Sequence, residues 1–309
     1  IERIKGREGK TEIAAMRGED EVRVTDDASI ANVFAAFYED LYRSRLGDLP
    51  SEDISETSPI TGFDVEPFTL KELRTALNAM RNGKAKDQAG VIAEMIKAGS
   101  HNLVDMILEV FNDILMFRGQ PPASWKKTKL TVIFKKGDPE LPKNYRPIAI
   151  LPILYKLFSR MLCNRMTGYV MRHQDVDQAA YRKGFSTEDH ILTVILLIEK
   201  SWEFNFPVWL GLVDFEKAFD MVEHSALWKV LERQGVPAQY TCLLKLLYTE
   251  QSATVQTSTR SRDFPIARGV KQGDPISALL FIAVMQDLCG GLKERWMTAN
   301  KRRTGGDSG

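Results

Sequence analysis

Four histidines and three cysteines in 309 residues leave little for soft-metal ligation or disulfide chemistry. Cys163, Cys242 and Cys289 are odd in number, far apart and without a CxxC pair, which excludes a disulfide framework and a structural zinc site on sequence grounds and suits a reducing, intracellular setting. Long apolar runs are missing too. The longest, Ile191–Ile198 interrupted by Thr193 and Ala278–Met285, fall well short of the ~18–20 residues of a membrane-spanning helix, so no membrane partner is expected. No methionine opens the chain and Ile1–Lys10 is charged rather than apolar, so no secretory leader is visible and the expectation is a piece of a longer protein. No internal repeat or low-complexity tract stands out.

A net charge of one sign is also lacking, at +1 overall, but the charge is segregated. Residues 1–70 carry 8 basic against 16 acidic side chains, whereas residues 118–183 carry 14 basic against 4 acidic. The second stretch can concentrate a phosphate backbone without reading its sequence, as a nonspecific nucleic-acid enzyme requires, although a solvated surface has the same composition.

Apolar spacing predicts an α+β chain with a helical front and a small sheet at the back. Residues 1 to about 24, charged and aperiodic, read as a linker or disordered lead-in. A helix follows, with Asp27 suited to its N-cap, on the stripe Ile30, Val33, Phe34, Phe37 and Leu41, and the Ser-, Glu- and Pro-rich stretch 50–61 reads as a flexible boundary. Thr69 with Glu72 forms a capping box ahead of Leu73, Ala76, Leu77 and Met80, and that helix ends at Asn82-Gly83. Ser100 opens a helix striped by Leu103, Ile107, Phe111 and Ile114 that stops at Gly119 before Pro121-Pro122. KKTKLTVIFKKGD (126–138) reads as a strand ending in a basic turn, and helices are expected over about 153–173 and 186–203. PVWLGLVDF (207–215), a short apolar run, suits a buried strand; helices over 225–234 and 237–249, a strand over 252–259 and a helix from Asp274-Pro275 through Met285 complete the reading.

The strand at 207–215 would place the carboxylate of Asp214 at its tip beside open solvent, a setting that suits an oxygen-liganded Mg²⁺. The bare spacing Asp214 to Asp220 says little by itself, since an aspartate closing a strand is often a cap or turn former. His224, alone at a helix start, reads as structural.

Three segments taken in order are more specific: KKGDPELPKNYRPIAILPILYKLF (135–158), LGLVDFEKAFD (210–220) and ARGVKQGDPISALLF (267–281). Together they resemble the reverse transcriptases of LINE-type, non-LTR retrotransposons, with further echoes in residues 82–99 and 179–191, over about Phe63–Trp296. The resemblance implies a right-hand polymerase fold. It divides the chain into an N-terminal extension with one helix (1–62), fingers with interleaved palm elements (63–206), a partial palm (207–296) and a disordered tail (297–309), with the thumb absent. It also implies an RNA-directed DNA polymerase with an RNA template, a DNA primer, deoxynucleoside triphosphates and Mg²⁺ as its partners.

By the same resemblance Asp214 is the catalytic metal ligand, with the backbone carbonyl of Phe215 beside it. Lys135 and Arg146 grip the triphosphate, Phe219 is the steric gate under the sugar, and Gln272 and Gly273 pack beside the incoming nucleotide. Lys136, Lys126, Lys127, Lys129 and Arg182 are candidates for the nucleic-acid backbone. Asp220 is a supporting residue, and Glu216 and Lys217 face solvent or nucleic acid.

One family feature is lacking. A two-metal polymerase needs carboxylates converging from two places, and in this family the second set comes from a hairpin of the F/Y-x-D-D kind. No such motif follows Gln272. KAKDQAGV (84–91), AAYRKGF (179–185) and Ala278 also depart from the family pattern. The expectation is a polymerase fold that is inactive as an isolated chain, with a noncatalytic RNA-binding remnant or a group II intron maturase-like protein as alternatives.

Overall fold

The computed structural model describes residues 13–18, 20–46 and 65–304, with side chains through 298. In chain order the elements are β1 (Met16–Arg17), β2 (Arg23–Val24), α1 (Asp27–Tyr42), α2 (Leu70–Ala79), α3 (Ala93–Lys97), α4 (His101–Leu115), β3 (Lys127–Phe134) and β4 (Tyr145–Ile150). These are followed by α5 (Ile153–Arg172), α6 (Thr187–Glu203), α7 (His224–Arg233), α8 (Ala238–Tyr248), β5 (Gln251–Gln256), β6 (Phe264–Ile266) and α9 (Ser277–Thr304). The mixed helix and sheet agree with the α+β reading.

Local chemistry accounts for the helix starts. The Thr69 hydroxyl accepts from the Glu72 amide at 3.3 Å while the Glu72 carboxylate accepts from the Thr69 amide at 2.8 Å, so both halves of the capping box form. Ser186 and Asp189 repeat the device on α6. At α1 the cap is Asp26, which accepts from the Ser29 amide at 2.8 Å, one residue before the Asp27 expected.

A four-stranded sheet runs β4-β3-β5-β6, with β3 antiparallel to β4 and parallel to β5, and β5 antiparallel to β6. Its register pairs Ile133 with Arg146 and Phe134 with Tyr145, which brings the basic turn between β3 and β4 over one end of the sheet. On the helical side Phe111, Trp125, Tyr155 and Phe158 interlock at centroid distances of 5.2–6.2 Å. Ile30, Phe34, Tyr38 and Tyr42 of α1 belong to the same apolar core as α4, α5 and α7–α9.

Four expectations need correcting. Residues 207–215 form no strand: the segment has no ladder partner among the described residues, and Trp209, Leu212 and Val213 are exposed. Apolar composition alone does not make a strand, because its amides and carbonyls need a neighbouring ladder. The lead-in before residue 24 is not disordered where it is described, since β1 pairs with β2 and Met16 is fully buried. The last helix does not stop at Met285 but continues to Thr304, through residues read as a tail. β4 and β6, short strands interrupted by Pro147 and Pro265, were not anticipated. The boundary expected at 50–61 lies outside the described residues. No helix among the described residues is long and apolar enough to cross a membrane.

Candidate active site

Three chain segments meet at one cleft of about 930 Å³. The β3–β4 turn contributes Lys135, Lys136 and, as a cation not singled out from sequence, Lys143; Arg146 follows on β4. The end of the unpaired run and the residues that follow contribute Asp214, Phe215, Lys217, Phe219 and Asp220. The loop before α9 contributes Gln272, Gly273 and Asp274. Lys126, Lys127, Lys129 and Arg182 do not line it. Lys126 lies 3.8 Å from Glu250, and the Arg182 guanidinium donates to the carbonyls of Asp175 (2.6 Å) and Gln178 (2.7 Å) while stacking over Phe185, so it organises its own turn.

Backbone pairing fixes the three segments to each other. Gly269 donates to the Val222 carbonyl at 2.7 Å and Val270 to that of Phe219 at 2.8 Å, tying the loop to the 219–222 segment. Ala149 of β4 donates to the Gln272 carbonyl at 3.1 Å, tying the same loop to the sheet. Glycine is required at two of these contacts. A Cβ on Gly269 (φ +91°) would lie 2.9 Å from the Asp220 carbonyl oxygen, and one on Gly273 (φ +103°) 3.3 Å from that of Ala149. Gly269→Ala should therefore lower stability by about 1–3 kcal/mol, seen as an earlier urea midpoint; an unchanged midpoint would contradict the close approach.

The side chains of the loop alternate between core and cleft. Lys271 is buried, its ammonium 3.2 Å from the Trp125 carbonyl and 4.7 Å above the Tyr155 ring, and burial pushes its pKa down to about 8 against the opposing pull of Asp274. Asp274 is buried as well, accepting from the Tyr155 hydroxyl at 2.6 Å and from the Ser159 hydroxyl. Between them, Gln272 reaches toward the cleft and donates through Nε2 to Asp220 Oδ2 at 2.8 Å.

Asp220, only 2% exposed, is the central acid of the site. Burial raises its pKa to about 6, opposed by the Tyr42 hydroxyl at 3.0 Å, by the charge of Lys217 and by Gln272. The Lys217 ammonium lies 3.9 Å above the Phe37 ring, and burial lowers its pKa, so it is half-buried rather than free in solvent. Asp214, by contrast, is exposed in the cleft. Phe219 lines it with its ring stacked on Phe281 at 4.6 Å and edge-on to Tyr181 at 6.0 Å. His224 is half-buried with Nε2 2.9 Å from the Gly269 carbonyl, and desolvation lowers its pKa.

A family model described as reverse transcriptase (RNA-dependent DNA polymerase) matches residues 133–304, more than half of the chain and all three segments of the cleft. The chain belongs to the reverse transcriptase family. It is 32% identical over 188 residues to the retrovirus-related Pol polyprotein of the type-1 retrotransposable element R2 of Popillia japonica, covering 58% of this chain and 25% of that protein. It is 26% identical over 298 residues to an uncharacterized 149 kDa protein of the transposon TX1 from Xenopus laevis, covering 94% and 22%. It is 27% identical over 274 residues to the probable RNA-directed DNA polymerase of the Drosophila melanogaster transposon X-element, covering 85% and 30%. This reverse transcriptase chain thus spans 22–30% of the length of these three relatives. The LINE-type, non-LTR character read from the motifs agrees with them.

Sequence reasoning left Asp220 and Lys217 in minor roles, read Asp274 only as the start of a helix, and did not reach Tyr42 or Lys271. The signal for the first two was their place inside the strongest motif. Nothing in the sequence marked Tyr42, which meets Asp220 across 178 positions of chain.

Proposed function

We propose that the chain is the part of a non-LTR retrotransposon RNA-directed DNA polymerase that holds the incoming deoxynucleoside triphosphate against a primer on an RNA template. The observation that carries this reading is the convergence of Lys135 and Arg146 with Asp214, Phe219 and the Gln272-Gly273 loop in one cleft. A lysine point charge beside a planar guanidinium suits a triphosphate: one neutralises, and the other can form paired hydrogen bonds to phosphate oxygens. Phe219, flat on Phe281, offers an apolar ring beneath a sugar, where a 2′-hydroxyl would find no partner. Gly273 leaves the backbone open to close approach. Lys136 and Lys143 extend the positive rim toward nucleic acid.

Reverse transcriptases generally depend on a divalent metal ion. The donors described here do not suffice for a two-ion centre. Asp214, with the Phe215 carbonyl next to it, is a free oxygen ligand in the cleft, but Asp220 is committed to Tyr42 and Gln272. No group of three or more His, Cys, Asp or Glu side chains able to hold a metal gathers among the described residues. The chain by itself is therefore read as binding nucleotide and primer–template without robust synthesis.

Two measurements test the proposal. Titration with a fluorescent deoxynucleoside triphosphate should give saturable binding that Lys135→Ala with Arg146→Ala weakens about 10–100-fold, as loss of charge-assisted phosphate contacts does. Affinity unchanged by the double variant would remove the triphosphate from this cleft. Primer extension on an RNA template with Mg²⁺ should yield little product, and robust synthesis would show that the donor set is complete.

A further inference from the structure

Asp220 sits where three parts of the chain that are remote in sequence touch. From one side comes α1, whose end is locked in place: Ala267 and Arg268 donate their amides to the Tyr42 carbonyl at 3.0 and 3.1 Å, and the buried Arg268 guanidinium donates to the Leu41 carbonyl at 2.8 Å. These contacts satisfy helix-terminal carbonyls that would otherwise lack partners and fix the last turn of α1. The Tyr42 side chain is buried, and its hydroxyl donates to Asp220 Oδ1 at 3.0 Å. From the other side comes Gln272, whose Nε2 donates to Asp220 Oδ2 at 2.8 Å. Each carboxylate oxygen thus serves a different neighbour.

An ionised carboxylate accepts and cannot donate, whereas a glutamine amide has one accepting and one donating end. Oδ2 therefore fixes which way round the Gln272 amide lies. Its nitrogen faces Asp220, and its carbonyl Oε1 has no protein partner among the described residues, so the group offered to a ligand is an acceptor.

We propose that Asp220 is a positioning residue that, anchored by Tyr42 of the N-terminal helix, sets the orientation of the Gln272 amide so that Gln272 presents a hydrogen-bond acceptor to a nucleotide in the cleft. The ligand's matching group is an N–H or O–H donor. The identity of the ligand rests on the reading above; the hold of Asp220 on Gln272 does not. A consequence is that α1, far from the grip residues in sequence, contributes to nucleotide binding through a single buried hydroxyl. A merely structural Asp220 would instead affect stability and leave the Gln272 amide as it was.

The test has two arms on the full chain. In the first, selective ¹⁵N labelling of glutamine follows the Gln272 side-chain amide, assigned by its loss in Gln272→Glu. A proton held by a carboxylate exchanges slowly with water, and its exchange should speed up about tenfold in Asp220→Ala and in Tyr42→Phe. Asp220→Asn, which presents a donor as well as an acceptor, guards against a variant that does not fold and should show two amide environments in place of one. In the second arm, titration with a fluorescent deoxynucleoside triphosphate should show about tenfold weaker binding for Asp220→Ala, and Asp220→Ala combined with Gln272→Ala should bind no worse than Gln272→Ala alone. An amide signal identical in wild type, Asp220→Asn and Tyr42→Phe overturns the positioning role, as does full additivity in the double variant. Absence of nucleotide binding by the wild type would instead strike at the nucleotide reading, with the amide arm still deciding the role of Asp220.

Discussion

Replacing Asp274 with alanine is expected to cost the fold roughly 3–5 kcal/mol, the range for removing one member of a buried charged network. Asp274 accepts from the Tyr155 hydroxyl at 2.6 Å and from the Ser159 hydroxyl, and its charge opposes the desolvation of the buried Lys271 ammonium. Without it, two hydroxyls on α5 lose their acceptor and a buried ammonium loses its nearest compensation. Tyr155 and Lys271 lie against Trp125 of the Phe111–Trp125–Phe158 cluster, where water does not substitute readily. Denaturant unfolding followed by fluorescence reads the effect directly. A loss under about 1 kcal/mol would mean that Asp274 is not the acceptor on which this network depends.

The neighbouring acid should respond in the opposite sense. Asp220→Asn is expected to raise stability at pH 7.5 by up to roughly 3 kcal/mol, the equivalent of lifting a carboxyl pKa from 3.8 to about 6 by burial. The sign follows from proton counting. Between pH 3.8 and about 6 the folded chain keeps a proton that the unfolded chain has released, so ionising Asp220 costs the fold progressively over that window and fully above it. The variant, neutral throughout, should match the wild type near pH 4 and exceed it above pH 6. Unfolding midpoints at the two pH values check this. A variant less stable than wild type at pH 7.5 would show that the contacts with Tyr42 and Gln272 outweigh burial. Of the two buried aspartates, Asp274 takes two hydroxyls and eases the burial of an ammonium, while Asp220 ionises at the cleft at a cost to the fold.

The helices were legible because their signals are local. Thr69 with Glu72, the stripe from Leu103 to Ile114, and the apolar faces of α7 and α8 lie within a few residues of each other, and the structure places each element within a residue or two of the reading, apart from the 70–79 helix, which ends three residues before Asn82, and the helix opened by Ser100, which ends at Leu115, four residues before Gly119. What failed was whatever depends on a distant partner. The run 207–215 has the composition of a core strand, yet its backbone finds no ladder among the described residues, and α6 exposes Ile191, Ile195 and Leu196 for lack of a packed neighbour there. β6, only three residues long, is defined by β5 rather than by its own pattern. Lys135, Arg146, Asp214, Phe219, Gln272 and Gly273 stand in or beside the three motifs and line one cleft, while Lys126, Lys127 and Lys129, read as candidates for the nucleic-acid backbone, do not line it. Tyr42, which anchors Asp220, could be found only by folding the chain.

Amide hydrogen exchange on the whole chain, with and without a deoxynucleoside triphosphate and a primer annealed to RNA, tests most directly whether the three segments form one nucleotide-binding cleft. Protection is expected together over residues 134–147, 214–220 and 268–274, and should weaken together in Lys135→Ala with Arg146→Ala. Protection confined to the exposed α6 and 207–213 surface, or to one of the three segments without the others, would contradict it.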